Sequence, residues 1–288
     1  MLSLHTNNAA LSAQNAITRN QSALSTSQTR LSTGYRINSA MDDAAGLQIA
    51  SRLKAQSSGM AVAMRNTQNA TAMLQTAEGA LDEVSNMLIR MKDLATQAAD
   101  GSSTAQDKTA MQAEYNDLGK ELANVLKNTT FGGKTLLVGN ASGAGTLIAN
   151  KMTFQIGASS TETMDVDLSS AMSTVQTNVS SAVSTYSGTA GTELTAAAGT
   201  AIGNLTTALD SVNTLRSGLG AAANRLDHVY NNLSNISTNT KNATGLLMDV
   251  DFASESANMT SNQMLLQAGT AMLKQTNSMS SMVMSLLQ

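Results

Sequence analysis

The sequence predicts a mainly α protein: an elongated antiparallel coiled-coil or helical-bundle rod, with a small β-hairpin region and both termini pairing as long helices. Three observations carry this. The 288 residues contain no Pro, where average usage of about 5% gives roughly 14. Pro costs about 3 kcal/mol inside a helix, so its absence fits long uninterrupted helices. Apolar residues recur every seven positions: Leu205, Val212, Leu219, Leu226 and Leu233 form an unbroken ladder, the period of a helical seam. The order of segments is nearly a palindrome: helix, break, long helix, helix, small β region, long helix, break, helix. A chain so ordered folds back and brings its termini together.

The first segment, residues 1–29, carries one charge, Arg19, plus His5. Ala10, Ile17, Leu24 and Leu31 recur at seven-residue spacing. Residues 257–288 also carry one charge, Lys274, and repeat Leu265, Met272, Met279 and Leu286 at the same spacing. Each end thus offers an apolar seam without the charge or area to be stable alone. The ends are expected to pair with each other, with copies of the chain, or with both, and to be disordered before that. Ile17, Leu24, Leu31, Leu265, Met272, Met279 and Leu286 are the candidate assembly seams. The methionines of the last segment suit an adaptable interface.

Between the ends, a helix is predicted over 44–99, with Leu74, Leu81 and Leu88, and Ala77, Val84 and Met91, in register. At 1.5 Å per residue it spans ~80 Å. Gly101 breaks it. A second helix runs from about 105 to 128, with Met111, Tyr115, Leu118, Leu122 and Val125 at 4-3 spacing. Gly132-Gly133 marks a turn followed by a short strand, and residues 152–168 read as a hairpin. The β region covers about 130–168. Residues 169–200 are Ser/Thr/Ala/Gly-rich and low in complexity, compatible with loop or loosely specified helix. Helix returns over about 201–238, and residues 242–256 break it before the last helix.

The densest early charge falls in the first break, "LSTGYRINSAMDDAAGLQIASRL" (31–53). Ser39-Ala-Met-Asp42 reads as a capping box: Ser39 accepts from the Asp42 amide and Asp42 reaches back. Asp42 and Asp43 sit where the helix dipole favours negative charge. A catalytic carboxylate pair needs a pocket that nothing nearby builds, so the structural reading is preferred. Asp249 and Asp251 play the same part before the last helix. The palindrome sets the two breaks opposite each other, with Arg36 expected to approach Asp249 or Asp251.

Composition excludes several function classes. Net charge is −3, with no basic patch for nucleic acid. Zero Cys removes thiol catalysis and disulfides. No run of about 20 apolar residues provides a membrane span. The first 20 residues lack a basic n-region and a continuous apolar h-region, so they do not read as a cleavable secretory signal. Two His, no Cys and no HExxH motif leave no zinc site. Gly218 and Gly220 lack the third glycine of a phosphate loop and lie within the helical ladder. No enzyme constellation and no cofactor are predicted.

The residues of the first break resemble the signature of bacterial flagellins. "MKDLATQAADGS" is similar to their first helix–helix turn, and "FGGKTLLVG" and "FQIGASSTETMDVDL" to their β region. "DVDFASESANMTSNQMLLQAGTAMLKQTNSMSSMVMSLLQ" resembles their carboxyl-terminal segment. The resemblance covers residues 1 to about 168 and 200–288. It implies a structural filament subunit for motility, exported unfolded by the flagellar type III apparatus and folding at the filament tip. The implied domains are 1–38 and 255–288 as the two halves of an inner coiled-coil domain (D0), with 39–254 as a rod domain (D1). About 30 low-complexity residues stand where many relatives insert outer domains, so this is similar to a short, lateral-type form.

The resemblance further implies a homopolymer, an export chaperone, a filament cap and hook-filament junction proteins as partners, and an extracellular location. A host Toll-like receptor reads the helices of many flagellins, and the matching positions are Arg90, Leu94, Gln97 and Glu114. The i, i+4, i+7 spacing of the first three puts them on one helix face. Two alternatives stay open: a hook-filament junction protein, which shares these termini, and a secreted type III translocator, which needs a stronger apolar segment than any present.

Overall fold

The computed structural model describes residues 7–137, 151–188 and 191–286. Helices dominate: α1 (Asn8–Thr33), α2 (Ala44–Ala99), α3 (Ala105–Asn128), α4 (Ser169–Ala182), α5 (Glu193–Met248) and α6 (Phe252–Leu286). A 3-10 turn covers Ser184–Ser187. Two antiparallel strand pairs complete the described fold: β1 (Thr130–Phe131) with β2 (Lys134–Thr135), and β3 (Met152–Gln155) with β4 (Thr163–Val166).

Local chemistry sets the helix ends. The Asn7 side chain accepts from the Ala10 amide at 3.1 Å and starts α1. At the other end Gly34 takes φ 76, the left-handed C-cap conformation, and its amide closes on the Arg30 carbonyl. A full capping box starts α3, with Thr104 and Asp107 each bonding the other's amide. The Thr104 hydroxyl and amide hold the Asp107 carboxyl below the usual range. Helix α5 continues through Ala197, whose φ −155 and ψ 57 are not helical. The Gly132-Gly133 turn has φ 58 and 81, the pair of positive values a two-residue type I′ hairpin demands. The strand expected after it stops at Thr135. Leu136 and Leu137 leave the ladder as fully buried core residues, and residues 138–150 lie outside the described residues.

The described residues of Met1–Ser57 and Thr238–Gln288 form one compact unit, and Ser58–Ser237 another. The first turns of α2 and the last turns of α5 therefore belong with the terminal helices. The domain boundaries expected from sequence, after 38 and before 255, leave those turns out.

In the 58–237 unit the seven-residue ladders become the core. Leu74, Leu81 and Leu88 of α2, and Leu205, Val212, Leu219 and Leu226 of α5, are buried together with Met111, Tyr115 and Leu122 of α3. The hairpin contributes Met152, Met164 and Val166. Its turn rests closely on α2: a Cβ on Gly59 would lie 2.7 Å from the Ala158 Cβ. Arg216 of α5 pairs with both Glu78 and Asp82 of α2, at 2.9 and 2.8 Å.

For 169–200, compatible in sequence with loop or loosely specified helix, the structure shows helix with a buried face. The described residues of this stretch form α4, the 3-10 turn and the start of α5. Met172, Val175, Val179 and Ala182 are buried, followed by Val183, Tyr186 and Leu194. The segment is a core element, with hydroxyls on its outer face folded back onto their own carbonyls, as at Thr174 to Ser170 and Thr177 to Ser173 (both 2.9 Å).

A polar clamp fixes this segment to α3. Gln112 accepts from the Leu194 amide at 2.6 Å and donates to Glu193 at 2.9 Å. Glu193 also accepts from the Ser184 amide at 2.8 Å, and the buried Tyr115 hydroxyl donates to the Ala182 carbonyl at 2.7 Å. Burial, then the nearby Glu193 charge, raise the Tyr115 phenol far above its ordinary value. Burial acts to raise Glu193 too, but the Ser184 amide and hydroxyl and the Gln112 amide outweigh it, and the carboxyl titrates below the usual 4.5.

A lowered folded value means the ionised group stabilises the fold above the unfolded pKa, and that contribution is lost as pH falls through the folded one. Glu193→Gln is therefore less stable than the parent at pH 7. The gap closes progressively once the pH drops below about 4.5. Urea unfolding of both chains across that range checks it; a gap independent of pH would remove Glu193 from the clamp.

Candidate assembly surface and helix joint

The two helix breaks meet within the terminal unit, through backbone. Tyr35 and Asp249 form an antiparallel bridge. The Arg36 amide donates to the Met248 carbonyl at 2.6 Å and the Val250 amide to the Gly34 carbonyl at 3.0 Å. The expected approach of Arg36 to Asp249 or Asp251 is corrected in its chemistry: no ion pair to either carboxylate exists among the described residues. The Arg36 guanidinium instead donates to the Leu247 carbonyl at 3.1 Å. That carbonyl lies in the last turn of α5, where unpaired oxygens and the helix dipole attract a cation.

Of the acidic pair before α6, Asp249 takes part through its backbone bridge to Tyr35, and Asp251 caps the helix. Asp251 accepts from the Ala253 amide at 3.0 Å and the Ser254 hydroxyl at 2.7 Å, starting α6. The hydroxyl first and then the amide lower its pKa. At the first break the capping box is only half formed. Asp42 reaches back to the Ser39 and Asn38 amides, at 2.9 and 3.0 Å, and these hold its carboxyl below the usual range. The Ser39 hydroxyl donates to that carboxylate, and the Asp42 amide uses the Ser39 backbone carbonyl. Residues 39–42 are thus a stapled turn. The N-cap of α2 is Asp43, which accepts from the Gly46 amide at 2.8 Å. The N-cap expected at Ser39 lies instead at Asp43, because the helix starts at Ala44 and residues 39–42 turn before it.

Helices α1 and α6 pack along each other. The α1 face that is shielded from solvent contains Ile17, Leu24 and Leu31, with Ser27 fully buried. On α6 the shielded positions are Glu255, Met259, Asn262, Leu266, Gly269, Leu273 and Thr276, spaced four and three as in a coiled-coil seam. A Cβ on Gly269 would lie 2.9 Å from Ile17 Cγ1, so the helices approach closely there. The row read from sequence on this helix is a different one. Leu265, Met272 and Met279 are 53, 63 and 58% exposed, with Met264 beside them. Leu286 ends α6, and its side chain lies outside the described residues. Helix α6 therefore has two apolar rows, one against α1 and one facing out, and a single heptad count picked the outer.

Among the described residues no group of three or more His, Cys, Asp and Glu could hold a metal, and no helix is long and apolar enough to cross a membrane. A shallow concavity on α3, lined by Ala105, Gln106, Thr109, Ala110 and Ala113, contains one hydroxyl, and that of Thr109 is bonded to the Ala105 carbonyl at 2.9 Å.

Residues 4–142 match the family model of the bacterial flagellin N-terminal helical region, and residues 202–287 that of the C-terminal helical region. The chain belongs to the bacterial flagellin family. A flagellin from Halalkalibacterium halodurans is 35% identical over 256 residues, covering 89% of each chain. Polar flagellin F from Vibrio parahaemolyticus is 42% identical over 169 residues, 59% of this chain and 43% of that one; the matched part spans less than half of that relative. A flagellar hook-associated protein from Vibrio parahaemolyticus shares the fold, with a TM-score of 0.56 at 18% identity over 72% of this chain and 99% of that one. Flagellins are structural components of the extracellular flagellar filament.

In this flagellin the four positions matched to receptor contacts do not share one surface. Arg90 and Glu114 are exposed and engage each other, Nε and Nη2 donating to one carboxylate oxygen at 3.0 and 2.7 Å. Gln97 is exposed, but Leu94 is buried in the core. Spacing of i, i+4, i+7 places the three on one side of a helix without saying that the side faces water. Arg30 and Glu255, which pair across α1 and α6, were missed by the sequence reading. The signal was available: Glu255 is the sole acidic residue in the sequence of either helix.

Proposed function

We propose that this flagellin polymerises into the flagellar filament through the outward row of α6, and that its terminal helices acquire lasting order as that row is covered. The exposure of Leu265, Met272 and Met279 along a 35-residue helix carries the reading. Apolar residues on a seven-residue period want another helix, and the only charges in α6 are Glu255 and Lys274. Covering apolar surface gains ~25 cal/mol per Å², against about 1–2 kcal/mol per residue ordered. Contacts repeated through a lattice supply what one chain lacks.

Export in an unfolded state, with a chaperone, a tip cap and junction proteins as partners, is part of this reading and rests on family membership. So does recognition by a host Toll-like receptor. For that surface Arg90, Gln97 and Glu114 are accessible, while Leu94 supports them from below.

Electron microscopy of seeded full-length chain, beside a chain lacking residues 1–30 and 256–288, tests the proposal. Long filaments from the first and none from the second are expected. Closed rings from the full chain would assign it to the hook-filament junction instead. A monomer under every assembly condition would overturn polymerisation.

A further inference from the structure

Two helices with sparse charge and repeated apolar rows have a pairing problem. Sliding α1 along α6 by one heptad moves Ile17 from Gly269 to Asn262 or Thr276 but still leaves the row of Met259, Leu266 and Leu273 for α1 to cover, so hydrophobic contact alone specifies register weakly. A slip breaks the backbone joint at Tyr35 and Asp249 and the close approach at Gly269, and with them one charged contact. Arg30 Nη1 lies 3.7 Å from Glu255 Oε2, with side chains 29 and 10% exposed. The pair is the only opposite-charge combination the two helices can form in place, because Glu255 is the sole acid in either sequence and the bases are Arg19, Arg30 and Lys274. Moved seven residues one way, Glu255 stays in the seam near Leu24 without a partner; moved the other way it passes the end of α1 at Thr33 and Arg30 is left facing Asn262, and a lone buried charge costs far more than the pair returns. Arg30 is committed as deeply: its Nε is buried and has no hydrogen-bond acceptor among the described residues.

We propose that Arg30 and Glu255 form a register key that admits one alignment of the terminal helices. Its value lies in rejecting wrong alignments, as a polar residue does inside a coiled-coil seam. The weak geometry of the pair supports this division of labour. At 3.7 Å without a direct hydrogen bond it adds little to the correct state, while a slip of one heptad in either direction strands one of the two charges. In a population of identical chains, such a key directs each α1 to the proper stretch of α6. The proposal concerns pairing between these two helices and does not require that the chain polymerise.

The chain contains no Cys, so introduced pairs report register cleanly. Ile17→Cys with Gly269→Cys reports the observed alignment, where Ile17 Cγ1 lies 2.9 Å from a Cβ at 269. Ile17→Cys with Asn262→Cys or Thr276→Cys reports a slip of one heptad in either direction. Full-length chains are oxidised mildly, and polymer and supernatant are scored separately, so a failure to polymerise is distinguished from a failure of register.

The 17–269 crosslink is expected to dominate with the native charges. In Glu255→Gln and in Arg30→Glu, slipped crosslinks should rise roughly tenfold relative to it. The double reversal Arg30→Glu with Glu255→Arg should restore the native ratio. An unchanged ratio in both single variants overturns the key, as does a double reversal no better than the single ones. Loss of all three crosslinks in the single variants would mean the pair holds the helices together without selecting register, and overturns it equally.

Discussion

Replacing Leu265, Met272 and Met279 together by glutamate leaves a folded chain that no longer grows filaments. These side chains are more than half exposed and lie off the seam that α6 presents to α1, so the pairing of α1 with α6 is kept. Each is about half covered already, and finishing the burial contributes roughly 1 kcal/mol per side chain. Three per subunit give about 3 kcal/mol, a factor of more than about 100 in the critical concentration. Burying three unpaired carboxylates costs more again. The same substitutions at Ser256 and Ser261, exposed positions on α6, control for added charge. Sedimentation gives the critical concentration and circular dichroism the helix content. A critical concentration unchanged by the triple substitution would place the subunit contact elsewhere.

The reason this row was legible, and its partner row was not, lies in residue type. Leu265, Met272 and Met279 are large and evenly spaced. The inward row interleaves Met259, Leu266 and Leu273 with Glu255, Asn262, Gly269 and Thr276. A scan for apolar repeats passes over such a row, because its fit depends on a glycine that admits Ile17 and on one charge opposite one charge. The long helices were legible for the opposite reason. In α2 and α5 the ladders of Leu, Val and Ala meet no competing pattern and no proline, and α2 and α3 begin and end where periodicity puts them.

At the joint, sequence order put the breaks in the right places along the chain, but α5 runs on to Met248 through part of the break expected over 242–256. That Asp43 and not Ser39 caps α2, and that Arg36 seeks a carbonyl, are settled by backbone geometry of an ångström or two. The receptor positions show the same limit. Leu94 and Arg90 share a helix side by spacing, yet packing of α3 and α5 over α2 hides one and leaves the other exposed.

Met172→Ala on α4 destabilises the 58–237 unit as severely as Leu122→Ala on α3. Both side chains are fully buried in one core, and truncation of a buried Met or Leu to Ala costs about 2–5 kcal/mol. For a unit of this size that lowers Tm by roughly 7–14 °C at the middle of the range. Composition argues the reverse, since Met172 stands in a Ser/Thr-rich run compatible with loop or loosely specified helix while Leu122 stands in an obvious helix. What decides is spacing: Met172, Val175, Val179 and Ala182 fall on one face, and the hydroxyls between them bond their own helix instead of competing with it. Ser173→Ala, on the exposed face, should change stability by no more than about 0.5 kcal/mol. Thermal unfolding of the three variants separates the cases. Were α4 a loosely held connector, Met172→Ala would be as silent as Ser173→Ala, and the clamp of Gln112 and Glu193 would be gripping a segment that contributes nothing to the core.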